Sequence, residues 1–211
     1  MENRVKPIIH RREGLILTTI DIIDELGIQG LTTKEIAKRQ NVSEATLFRH
    51  FKSKNELLIA ALEHFSQYDK DIFRSIEIKR MKPREAILYF IETYAIYYQN
   101  YPAITAMTQI YDVLRCDVFL ADKVKYIFST RGEFMKKIIE DAQKSGEISQ
   151  EIDSEELADI LTSVYNGICL KWRMNEYGFP LREKIVSAIS SLLDAFGVLD
   201  ETDGEFSSTN T

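Results

Sequence analysis

LTTKEIAKRQNVSEATLFRHFKSKNE, residues 31–56, decides the fold because three helix starts and two tight turns are written into it. Thr32 with Glu35 fits a capping box, in which the hydroxyl accepts from an orphan backbone N–H and the carboxylate reaches back to the cap residue. The helix so begun, about 33–39, buries Ile36 and Ala37 and turns Lys34, Lys38 and Arg39 outward. Asn41 ends it, since asparagine tolerates a left-handed backbone. Val42 plugs the space between two helices, and Ser43 is the next N-cap. A two-turn helix follows over about 44–50, with Leu47 and Phe51 inward. Ser53 and Glu56 form a further capping box that opens a longer helix. Two short helices joined by a three- to four-residue turn are a helix-turn-helix, whose second helix enters the DNA major groove.

Here the chain resembles the TetR family of bacterial transcriptional regulators. The matching residues are Gly27, Leu31-Thr32-Thr33, Ile36-Ala37, Val42-Ser43, Ala45-Thr46-Leu47-Phe48, His50-Phe51, Ser53-Lys54 and Leu57-Leu58. They lie within about residues 11–60, and a looser similarity covers 154–198. Two positions depart from the family's habit. Asn41 stands where a glycine is usual, and Phe48 stands where a tyrosine hydroxyl commonly touches a phosphate. The resemblance implies an all-α protein, a helical body holding a small-molecule site, and a homodimer formed by the last two helices.

Charge divides the chain in the same way. Residues 1–54 carry ten Lys and Arg against seven Asp and Glu, a balance of +3, and residues 55–211 carry 17 against 26, a balance of −9. The acidic body is repelled by a duplex, so the basic head alone approaches it. Three segments are expected: a DNA-binding domain over 1–54, a regulatory and dimerisation domain over 55–200, and a disordered acidic tail over 201–211. Residues 1–9 have no pattern; Arg4 and Lys6 read either as part of a solvated tail or as followers of the DNA backbone. The start lacks a signal-peptide segment, and no apolar run approaches the roughly 18 residues of a membrane span. Cys116 and Cys169 are far apart in helical contexts and read as reduced thiols. A cytoplasmic location follows from these features.

The expected helices number about nine. The first spans about 11–26 with Gly27 as its C-cap, and the two of the motif follow. The rest span 53–79, 83–100, 103–115, 120–145, 154–176 and 181–197, with Ser154 capping the helix that it opens. The last two are apolar over so much of their circumference that both sides must be buried. Leu161, Tyr165, Ile168, Ile189, Leu192, Leu193 and Phe196 are the dimer-interface candidates, against a monomer with a thick core. Gly167, costly in a helix interior, suggests close approach by another backbone.

Five of the ten tyrosines fall between residues 89 and 101. Apolar walls with a few polar handles suit a small apolar or aromatic effector. The lining candidates are Phe65, Tyr68, Phe90, Tyr94, Tyr98, Met107, Tyr111, Phe128, Phe134 and Trp172. An aromatic stripe at helical spacing is equally the mark of an ordinary core. Arg115 is either a holder of an anionic head group or a solvated charge.

On the head, Thr33, Lys34, Thr46, His50 and Lys54 are expected on phosphates, Lys54 with help from a helix dipole. Thr32, Ser43 and Phe48 belong to the same contact surface. Glu44, Ala45 and Arg49 face base edges, with Arg49 suited to guanine. Glu44 has a second reading, as a complement to the helix N-terminus. Nothing points to an enzyme, a cofactor or a metal: no histidine has a glutamate three residues before it, and HExxH, a phosphate loop and a nucleophile elbow are absent. The partners expected are a double-stranded, palindromic operator, a small-molecule effector and a second copy of the chain. The alternatives are a body controlled by a protein or by nothing, and a helical adaptor without DNA binding.

Overall fold

Helix caps and apolar spacing produce eleven α-helices among the described residues. A computed structural model describes residues 9–197, and Arg4, Lys6 and the 201–211 tail lie outside it. The head comprises α1 (Ile9–Gly30), α2 (Thr33–Arg39) and α3 (Glu44–His50). The body comprises α4 (Lys54–Phe65), α5 (Asp69–Lys79), α6 (Pro83–Asn100), α7 (Ala106–Gln109), α8 (Tyr111–Leu114), α9 (Ala121–Lys144), α10 (Ser154–Met174) and α11 (Leu181–Ala195). Among the described residues there is no strand, only an isolated bridge between Ile148 and Gly197. No helix there is long and apolar enough to cross a membrane.

The head caps behave as their sequence requires, with one amendment. Thr32, Ser43 and Ser53 side chains accept from the backbone N–H of Glu35, Thr46 and Glu56. The Glu35 carboxylate, however, takes Arg39 at 2.9 Å, and Glu56 accepts from the Lys52 N–H at 2.6 Å. The boxes are therefore half-formed, since a nearby cation or a different N–H competes for each carboxylate. Asn41 takes the left-handed backbone at φ 50°. Gly27 interrupts α1 at φ 70°, and one further helical turn leads to Gly30, where an added Cβ would lie 2.3 Å from the Leu26 Cβ. Leu15, Ile20, Leu47, Phe51 and Leu57 lock α1, α3 and α4 together in the core.

Three expectations fail locally. The helix over 53–79 is two helices, because Ser66–Tyr68 form a turn in which the Ser66 hydroxyl donates to the Leu62 carbonyl. Leu62, Phe65, Ile72 and Ile76 keep helical phase across that turn, so periodicity gave no sign of it. The helix over 103–115 is a 3-10 turn (Pro102–Thr105) followed by α7 and α8. α10 is capped by Asp153 rather than Ser154: the carboxylate accepts from the Glu155 and Glu156 N–H groups.

In the body α6 packs against α5, α9 and α11, and α10 closes over α9 and α11. α1 bears on α4 and on the 3-10 turn, so head and body share a packed joint.

Candidate nucleic-acid interface and ligand cleft

α3 offers Glu44, Ala45, Phe48 and Arg49 to solvent, with Thr46 and His50 half-buried. Phe48 is 47% exposed, an unusual state for a large apolar ring. Lys34, Arg49 and Lys54 are exposed, and no carboxylate pairs with them among the described residues. Arg39 is different: Glu25 and Glu35 hold it at 2.8 and 2.9 Å, which removes it from the exposed cations. Thr33 donates to the Glu44 carboxylate at 2.6 Å, so both side chains are already engaged with each other. Ser43 and Thr46 hydroxyls lie 3.0 Å apart, with Thr32 capping α2 beside them. Arg49 is the exposed cation on the outer face of α3.

The body holds a cleft of about 850 Å³ between α6, α7–α8, α9 and α10. Phe90, Tyr94, Tyr98, Tyr111 and Phe128 line it, as does Arg115 at the mouth. Phe65, Tyr68, Met107, Phe134 and Trp172 do not. Phe65 and Met107 are core residues, and Tyr68 is exposed on the turn before α5. Phe134 stacks on Phe73 with ring centroids 3.9 Å apart. The Trp172 ring N–H donates to the Phe179 carbonyl at 2.8 Å. Each of these five has its own packing partner, and an aromatic on an inward stripe reaches a cleft only where neighbouring helices part.

Beside the cleft lies a buried ion pair absent from the expected site. Arg131 on α9 grips Asp69 on α5 through two nitrogens, at 2.8 and 2.9 Å. The Tyr94 hydroxyl donates to the same carboxylate at 2.6 Å. The guanidinium lies over the rings of Phe65 and Tyr94. Burial works against the Arg131 charge, but the surrounding tyrosine oxygens and Asp69 outweigh it and keep it protonated. Burial pushes the hydroxyls of Tyr94, Tyr98, Tyr111 and Tyr165 upward, so all stay neutral. The signal was present. Arg131 falls on the stripe Val124, Ile127, Met135 and Ile138, and Asp69 on that of Leu62, Phe65, Ile72 and Ile76, opposite charges on two buried faces.

Residues 15–61 match the family described as bacterial regulatory proteins, tetR family, and residues 62–197 match a YsiA-like protein C-terminal region. The tetracycline repressor protein class C of Escherichia coli is 30% identical over 158 residues, covering 69% of this chain and 70% of that one. The chain belongs to the TetR family. It is a ligand-responsive, DNA-binding transcriptional regulator, and its relatives are regulators rather than enzymes. The fold of FadR from Bacillus subtilis, solved with stearoyl-CoA, superposes with a TM-score of 0.72 at 19% identity, covering 88% of this chain and 97% of that one. KstR2 of Mycobacterium tuberculosis gives a TM-score of 0.78 at 14% identity, covering 93% and 98%. At these identities the two share the fold.

Within this TetR-family body the dimer candidates divide. Leu161, Tyr165, Ile189 and Leu193 are buried inside the protomer, so they do not form an outer face. The inner stripe of α10 is Leu157, Leu161, Tyr165, Cys169 and Trp172, and Val164 and Ile168 lie to one side of it. Ile168, Leu192 and Phe196 stay half-exposed. Tyr165 instead lines the cleft. Gly167 meets nothing of its own chain: a Cβ there would have no other atom within 4 Å. Arg115 pairs with Asp112 on the surface at 2.6 Å, with 57% of its side chain exposed. The joint to the head carries a second ion pair that sequence spacing gave no means of finding. Asp24 on α1 meets Arg173 on α10 at 2.6 Å and the Tyr177 hydroxyl at 3.3 Å.

Proposed function

We propose that the chain is a homodimeric repressor that binds a palindromic operator and releases it when a small apolar or aromatic molecule enters the body cleft. The observation that carries this reading is the union of an unpaired, exposed Arg49 on α3 with an aromatic cleft in the same chain. Lys34 and Lys54, with the Thr46 and His50 side chains, take phosphates, and Arg49 takes a guanine edge. Thr33 holds Glu44, which fixes the carboxylate beside Ala45 and favours a cytosine amino group near it. The half-exposed stripe Ile160, Val164 and Ile168 of α10, with Leu192 of α11, meets the same stripe of a two-fold mate.

Two contacts relay the ligand to the head. α10 lines the cleft at Tyr165 and reaches Asp24 through Arg173, eight residues or roughly 12 Å further along the helix. Tyr177, left-handed at φ 62° and packed on Trp172, holds the same aspartate. At the other side Asn55 on α4 donates to Asp117 at 3.3 Å. A shift of α10 therefore rotates α1, and with it the spacing of two recognition helices that must stay near one DNA turn, about 34–36 Å. Coupling of about 1–3 kcal/mol weakens operator binding roughly 5- to 150-fold.

The test selects bound duplexes from a random pool, with and without a panel of apolar and amphipathic ligands. Stearoyl-CoA, the molecule bound by FadR from Bacillus subtilis, belongs in the panel. A palindrome released by one ligand supports the reading. A palindrome indifferent to the whole panel removes the effector, and no enrichment at all removes the operator.

A further inference from the structure

The cleft contains a hydrogen-bonding deficit whose chemistry is selective. Tyr111 and Tyr165 both line it, and both hydroxyls are buried without a hydrogen-bond partner in the protein. The Cys169 thiol near Tyr165 is pushed up to about 12 by burial and stays a neutral, weak acceptor. A buried hydroxyl in this condition carries a large penalty that a well-placed oxygen relieves. Nearby, the enclosed cation Arg131 is already satisfied. Asp69 occupies the Nε and Nη2 groups of Arg131, and the remaining Nη1 lies 3.4 Å from the Tyr98 hydroxyl.

An anionic ligand fits this arrangement badly. Arg131 lines the cleft, but Asp69 already matches its charge, so an anion beside it meets a neutralised pair rather than a free cation. To stay at the mouth it must find a free cation, and there Lys136 is held by Glu155 and Arg115 by Asp112. Among the described residues the lining then holds one unpaired cation, Lys125, and two unpaired carboxylates, Glu133 and Asp159. Tyrosine and phenylalanine rings share the apolar walls with Ile91, Val124, Met135 and Leu170.

We propose that the cleft selects an uncharged aromatic or alicyclic molecule bearing a hydrogen-bonding oxygen, which the Tyr111 and Tyr165 hydroxyls hold, and disfavours carboxylates and phosphates. This rests on the cleft being the effector site, and the experiment separates the two claims. Nile red, neutral and fluorescent in apolar surroundings, reports occupancy of the full-length protein; biphenyl, 4-phenylphenol and biphenyl-4-carboxylate compete with it at pH 7.

Thr162→Trp, which places an indole on the cleft wall, abolishes Nile red binding while helical circular dichroism is unchanged. 4-Phenylphenol displaces the dye at roughly three- to tenfold lower concentration than biphenyl, the worth of one or two net hydrogen bonds. The carboxylate is weaker than biphenyl. Tyr165→Phe and Tyr111→Phe each reduce the phenol's advantage and leave biphenyl unaffected. A carboxylate that equals the phenol, or an advantage that survives in both phenylalanine variants, overturns the selectivity while leaving the cleft as the effector site. Nile red bound equally well by Thr162→Trp puts the ligand elsewhere, and the selectivity falls with the site.

Discussion

Head and body use polar groups in opposite ways. In the head the helix caps sit on the surface and each takes its partner three residues away: Thr32 with Glu35, Ser43 with Thr46, Ser53 with Glu56. In the body and at its joint to the head the decisive polar groups are largely enclosed and their partners are remote, Asp69 with Arg131 and Asp24 with Arg173. Local capping makes the head a rigid reader whose exposed cations stay available for DNA. Long-range burial makes the body a cooperative unit, in which one displaced group disturbs several helices. A reader and a sensor need those two different constructions.

The sharpest way to break the comparison is at the buried pair. Asp69→Leu or Arg131→Met alone should cost about 3–5 kcal/mol in urea unfolding, because each leaves a buried charge without its partner. The double variant should recover most of that loss, since an apolar pair of similar volume is tolerated there. Single variants that lose less than about 1 kcal/mol would place the pair in the class of exposed ion pairs and erase the contrast.

Next in size is the DNA surface. Arg49→Ala should cost about 1–3 kcal/mol on the selected operator and relax preference at one base position. Lys54→Ala should weaken all duplexes alike and reduce the salt slope by about one. Equal losses on operator and random DNA for both variants would remove Arg49 from base reading. Band-shift titrations at two salt concentrations separate these outcomes.

These two tests also mark how far the sequence was legible. The helix-turn-helix was readable because caps, the left-handed Asn41 and buried Ile36 and Leu47 all act within one or two turns. Half of the ten lining candidates do line the cleft, yet spacing could not tell Phe90 from Phe134. Both sit on inward stripes, and only the parting of α6 from α10 decides which faces open space. Of the dimer candidates on α10, Leu161 and Tyr165 are covered by their own protomer and Ile168 is half-exposed. A helix apolar on two sides does not announce which side its own protomer covers.

The joint between the regions gives a smaller effect. Asp24→Asn or Arg173→Met should leave operator affinity near wild type without ligand but reduce ligand-induced release by about 0.5–2 kcal/mol of coupling. Titrating operator with and without a saturating ligand measures it. Unchanged coupling in both variants would shift the relay to α4 and the Asn55–Asp117 contact.

The smallest expected effect lies at His64, on α4 where it meets the head. Its ring packs edge-on against Tyr101 with centroids 6.5 Å apart, and Gln67 lies 3.4 Å from its ring nitrogens. Burial lowers its pKa from the ordinary 6.5, and Glu13 on α1 only partly opposes this. The unfolded chain therefore binds the proton first as pH falls. Stability contributed by neutral His64 is complete above about pH 6.5 and drains as pH drops toward the folded value. His64→Gln should flatten the difference in unfolding free energy between pH 7 and pH 5 relative to wild type. The ring is half-exposed, so the change is a shallower slope rather than a lost transition. Parallel pH profiles for the two proteins would mean that the joint leaves His64 as solvated as an unfolded histidine, and that α1 and α4 are looser there than their packing implies.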